Sequence, residues 1–100
     1  MPYNYQLSEE AEADIYESYV WYESQQLMLG EKFLDSLDSA KQAIISNPLT
    51  YRIRYNKKVR GFVVKNFPYL VWYITKGNNI DVISVFNTSQ HPKKWKKRVK

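Results

Sequence analysis

The chain has no cysteine, which excludes disulfides and thiol catalysis from the outset. Its one histidine, His91, is too few for a zinc site of the usual His and Cys make-up, and neither a metal nor a cofactor is expected. Glycine occurs three times and proline four times, and there is no internal repeat and no linker. No apolar run is long enough to cross a bilayer. The first residues, Met1-Pro2-Tyr3-Asn4, have neither a basic n-region nor an apolar h-region, so no secretory signal is read there. The expectation is a soluble, cytoplasmic protein.

What is present is a foldable core and an uneven charge. At 100 residues the length suits one domain, spanning 1–100, and 44% hydrophobic with 16% aromatic residues is enough to fill it. Residues 1–50 carry nine acids and two bases, whereas residues 51–100 carry thirteen bases and one acid, Asp81. Such a division implies one acidic face and one basic face, the latter suited to a polyanion or an acidic partner. The plainer explanation is solubility.

The hydrophobic pattern changes period at Pro48. Tyr3-Asn4-Tyr5-Gln6-Leu7 alternates and predicts a short strand. Ser8 has the chemistry of a helix N-cap, and Glu9 and Glu10 suit the positive end of the helix dipole. Ala11, Ile15, Tyr19 and Tyr22 form one stripe of a helix over about residues 9–27, with Gly30 breaking it or marking the turn. Phe33, Leu37, Ala40 and Ile44 form the stripe of a second helix, widened by Leu34 and Ile45 and stopped by Asn47-Pro48. The pair reads as an antiparallel helical hairpin. Beyond it, residues 51–55, 59–67, 69–75 and 80–86 are β-branched and aromatic, with Gly77-Asn78-Asn79 as a tight turn. The predicted class is α+β: an N-terminal strand, a helical hairpin, then an antiparallel β-meander. Residues 92–100 predict one short helical turn and a frayed tail.

Several local sequences, in order, resemble the RelE/ParE superfamily of type II toxin–antitoxin toxins, most closely its ParE-type branch. They are Ala11-Glu12-Ala13-Asp14-Ile15, Trp21-Tyr22-Glu23, Leu29-Gly30-Glu31-Lys32-Phe33, Asn47-Pro48 with Tyr51, Val59-Arg60, Phe67-Pro68-Tyr69 with Tyr73, and Pro92-Lys93-Lys94-Trp95. The resemblance implies a plasmid-stabilisation type of toxin that arrests growth by binding a cellular target such as DNA gyrase. It also implies a cognate antitoxin encoded alongside, whose acidic, amphipathic C-terminal segment folds along the toxin. Two alternatives stay open: a ribosome-dependent mRNA endonuclease of RelE type, and a diverged interaction module without toxicity. The chain departs from the RNase members in having Asn87 and Gln90 where relatives often carry His and Arg, and no Tyr or His after Trp95.

A metal-free ribonuclease needs a base for the 2′-hydroxyl, cations for the phosphate and an acid for the leaving oxygen. The candidates are Arg60, Lys57, Lys58 and His91, with Arg54 and Lys65 as further cations. Arg60 leads because a strand holds it rigidly and a guanidinium can grip phosphate with two hydrogen bonds. Lys57-Lys58 reads more simply as a solvated turn, and His91 as a loop residue. For target binding the candidates are Arg54, Arg60, Lys93, Lys94, Trp95, Lys97 and Arg98, an aromatic anchor among cations. The aromatic run through Tyr69, Trp72 and Tyr73 reads as sheet core rather than a base-stacking platform. One sheet face should cover the helices and the other, wide and apolar, should be covered by a partner.

Overall fold

The computed structural model describes residues 3–88. The expected helical turn at 92–100 and the candidates His91, Lys93, Lys94, Trp95, Lys97 and Arg98 lie outside the described residues. The elements run β1 (Asn4–Leu7), α1 (Glu9–Gln25), α2 (Leu29–Ser46), β2 (Ile53–Tyr55), β3 (Val59–Val63), β4 (Tyr69–Lys76) and β5 (Asn79–Asn87). The strands form one sheet in the order β1-β5-β4-β3-β2. β2 to β5 are the expected antiparallel meander, and β1 joins the far edge in parallel with β5.

α1 starts where its cap predicts. Ser8 is extended, and its Oγ accepts from the Ala11 N–H at 3.0 Å. The turn between the helices is not made by Gly30. Met28 takes the left-handed conformation, φ 72°, and α2 has already begun at Leu29. Gly30 is instead buried inside the first turn of α2, where a Cβ would lie 2.8 Å from the Tyr19 ring and 2.9 Å from Glu23. Its role is close helix–helix approach. Glu23 completes the junction, because its two carboxylate oxygens accept from the Met28 and Gly30 N–H groups, each at 2.9 Å.

The core lies between the helical layer and one face of the sheet. Ala11 of α1 and Phe33, Ala40 and Ile44 of α2 meet Val71 and Tyr73 of β4 and Ile80, Val82 and Val85 of β5. At one end Tyr22, Phe33, Phe67 and Tyr69 pack edge-on and tilted, with ring centroids 4.9–6.1 Å apart. Burial raises the Tyr22 phenol to about 12.

Two strands are shorter than their composition suggests. β3 stops at Val63 rather than running to Phe67, because Asn66 adopts φ 73° and the chain turns, closed by Val64 N–H to Tyr69 C=O at 2.9 Å. β2 begins at Ile53, since residues 47–52 form a loop pinned from within the fold. The β4–β5 ladder also carries a bulge: Trp72 pairs with Ser84 but Tyr73 with Val82, so Ile83 is the extra residue of the β5 strand.

Candidate functional site

The described cations do not converge on one point. Arg60 lies opposite Tyr73 in the β3–β4 ladder, on the side facing the helices. Its Nη1 donates to the carbonyls of Tyr51 at 2.7 Å and Leu49 at 3.2 Å. The Tyr73 hydroxyl, in the core, donates to the Pro48 carbonyl at 2.7 Å. Together they tie residues 47–52 down onto the sheet. Burial pushes the Tyr73 phenol up to about 12, with the Arg60 cation acting in the opposite sense. One nitrogen of the guanidinium read from sequence as a phosphate grip, Nη1, is thus engaged by backbone carbonyls.

Arg54 belongs to the opposite face. A Cβ on Gly61 would meet the Arg54 Cδ at 2.7 Å and the Trp72 ring at 3.2 Å, so the absence of that side chain is what lets Arg54 lie across β3 beside Trp72. Lys57 and Lys58 sit at the exposed tip of the β2–β3 hairpin. Asn56 and Lys57 have φ 52° and 60°, and Lys58 N–H donates to Tyr55 C=O at 3.2 Å, so the tip is a two-residue turn of the primed type. Lys65 is exposed in the connection between β3 and β4. Among the described residues no group of three or more His, Cys, Asp or Glu could hold a metal ion.

The second sheet face differs from its expectation. Tyr69, Val71 and Tyr73 share one face, as alternation requires, and the structure shows that this face meets the helices. On the other side, however, Val59, Trp72 and Phe86 are themselves buried, with Tyr55, Leu70, Ile74 and Ile83 half-buried around them. The centre of this face is closed within the chain, so it is not the wide apolar surface expected to await a partner.

Apolar exposure lies on the helices instead. On α1, Tyr16 is 69%, Val20 46% and Trp21 59% exposed. Reading the stripe from Ala11, Ile15, Tyr19 and Tyr22 missed this second apolar face. The signal was there in the sequence, since apolar residues run right around this helix rather than along one side. Between the helices, Leu7, Ile15, Tyr16, Tyr19 and Leu34 line a groove with Glu12 at its rim.

One α1 carboxylate turns inward. Asp14 Oδ2 accepts from Ser84 Oγ at 3.2 Å and from Val85 N–H at 3.1 Å, directly at the bulge. β1 pairs β5 only as far as Val82, and beyond it Ser8 and Asp14 supply the hydrogen bonds that a strand would have made.

With this geometry, residues 5–92 match the family model described as ParE toxin of type II toxin–antitoxin system, parDE. The fold is also similar to a chain of the chromosomal ParDE TA system from P. aeruginosa. The TM-score is 0.74 at 16% identity, covering 85% of this chain and 95% of that one. No curated protein matches the chain.

Proposed function

Because this chain belongs to the ParE toxin family of type II toxin–antitoxin systems, we propose that it arrests growth by binding and inhibiting a cellular target such as DNA gyrase. The observation that carries this over RNA cleavage is Arg60. Its Nη1 is held by the Leu49 and Tyr51 carbonyls, so Arg60 serves to tie residues 47–52 to the sheet and keeps only its Nε and Nη2 groups for a phosphate. Lys57, Lys58 and Arg54 lie at an exposed hairpin tip and on the opposite face, an arrangement that supports surface contact rather than a closed catalytic centre.

The neutralising partner is an antitoxin encoded alongside, contributing an acidic, amphipathic segment that folds on the toxin. Arg52, Arg54, Lys57 and Lys58 at the β2–β3 end supply the complementary charge. Lys93, Lys94, Trp95, Lys97 and Arg98 extend the proposed binding set by sequence. The site of action is the cytoplasm. No described helix is long and apolar enough to cross a membrane.

Controlled expression with plasmid topology and mRNA 5′ ends read together tests the proposal. Gyrase-linked DNA breaks without transcript cleavage are expected. Codon-spaced transcript cuts that vanish in Arg60→Ala would establish the ribonuclease, and unaffected growth the non-toxic module. Failure of the adjacent gene product to bind in a pull-down would remove the antitoxin.

A further inference from the structure

α1 and α2 treat solvent differently. The outward positions of α2 include Glu31, Lys32, Asp35, Ser39 and Gln42, all exposed, polar and of mixed sign. Those of α1 combine exposed glutamates with an apolar and aromatic stripe. Ala13, Tyr16 and Val20 follow helical spacing along one exposed stripe, and Trp21 is exposed on its flank. Tyrosine and tryptophan left in water on a regular helix are the side chains that dominate binding energy when an interface covers them.

The charge around the stripe narrows what can cover it. α1 contains six acids and no lysine or arginine. Asp14 is turned onto β5, and Glu23 is occupied at the helix junction. Glu9, Glu10, Glu12 and Glu17 remain exposed. A symmetric pairing of two copies through this face would set these carboxylates against their counterparts. An acidic antitoxin segment meets the same repulsion here, while the β2–β3 end suits it. A partner of positive potential is left.

We infer that the solvent face of α1 (Tyr16, Val20 and Trp21 ringed by Glu9, Glu12 and Glu17) docks on a cationic surface of the inhibited target, of the kind an enzyme uses to hold nucleic-acid phosphates. The inference rests on the inhibitor reading above and adds where the target binds and with what chemistry. The aromatics bury in the contact, and the glutamates pair with the target's cations where phosphate would otherwise lie. The two ends of the molecule then have separate partners: acidic antitoxin at the β2–β3 end, cationic target at α1.

The test compares growth arrest and antitoxin binding across variants of the full chain. Tyr16→Ser with Val20→Ser, Trp21→Ser, and Glu12→Lys with Glu17→Lys are each expressed over an inducer range. They are also purified for binding to the adjacent gene product and for thermal melting. Each is expected to need at least about tenfold more toxin for arrest, with antitoxin binding retained. The glutamates are exposed, so their charge reversal reports docking even if an aromatic variant melts early. Arrest at wild-type doses in all three overturns the inference. So does loss of antitoxin binding with arrest intact, which would give the face to the antitoxin. An effect of the aromatics with none from charge reversal would exclude a cationic partner. A change in sedimentation of the isolated chain would assign the face to a second copy. If the wild-type chain fails to arrest growth, the inhibitor reading itself falls, a result seen before any variant is compared.

Discussion

Replacing Asp14 by alanine tests whether the α1–β5 junction is held by the hydrogen bonds described at the bulge. One oxygen, Oδ2, serves two donors, the Ser84 hydroxyl and the Val85 N–H. Ser84 is fully buried, so its hydroxyl has no ready access to water. An orphaned buried donor costs about 1–3 kcal/mol, which gives about 2–6 kcal/mol for the pair. Alanine's better helix propensity offsets roughly 0.5 kcal/mol of this. Water reaching the half-buried Asp14 position trims the upper end. The expected loss is about 2–4 kcal/mol, a drop in Tm on the order of 10 °C for a domain of this size. Asp14→Asn should lose under about 1 kcal/mol, because a single amide oxygen can still accept from both donors. Adding Ser84→Ala to Asp14→Ala should recover about 1 kcal/mol relative to additivity, since one orphan is removed with its partner. Chemical denaturation of the purified chain measures all of these. An Asp14→Ala protein within about 0.5 kcal/mol of wild type, the range of ordinary surface changes, would refute the reasoning.

Gly30→Ala should destabilise by about 1–3 kcal/mol despite alanine's helix propensity, because its Cβ would lie 2.8 Å from the Tyr19 ring; unfolding midpoints check it. Lys57→Gly should stabilise by roughly 0.5–1 kcal/mol by relieving the left-handed strain at φ 60°. It also removes one hairpin cation, so salt-dependent antitoxin binding should weaken while the melting temperature rises. Alkali should destabilise the fold. The folded-state phenols of Tyr22 and Tyr73 are raised from 10.0 to about 12. Their contribution is intact below the unfolded value and is lost as pH climbs through the folded one, so melting temperature should fall between pH 10 and 12. Tyr73→Phe should flatten that decline.

Local chemistry made much of the fold legible. Ser8 before a run of acids marks a helix start because a free N–H needs an acceptor nearby in sequence. Asn47-Pro48 marks a helix end because the proline ring restricts its neighbour. The change of period after Pro48 separates the helical hairpin from the meander, and Gly77 at φ 55° makes the expected turn between β4 and β5. Gly30 misled, since a glycine that allows close packing and one that makes a turn are the same letter. Met28 carries no mark of its positive φ.

The sequence by itself determined the element order, the two alternating side-chain sets of β4, the division of charge and the kinship with ParE toxins, because these depend on neighbours along the chain. Tertiary structure decided which groups are already engaged. Arg60 meets carbonyls eleven and nine residues away, and Asp14 meets a bulge seventy residues on. It also decided that Trp72 and Phe86 are buried while Tyr16 and Trp21 stand in water. Burial and pairing depend on which segments the sheet order brings together; the sequence shows apolar residues all round α1, but not which of them the sheet covers.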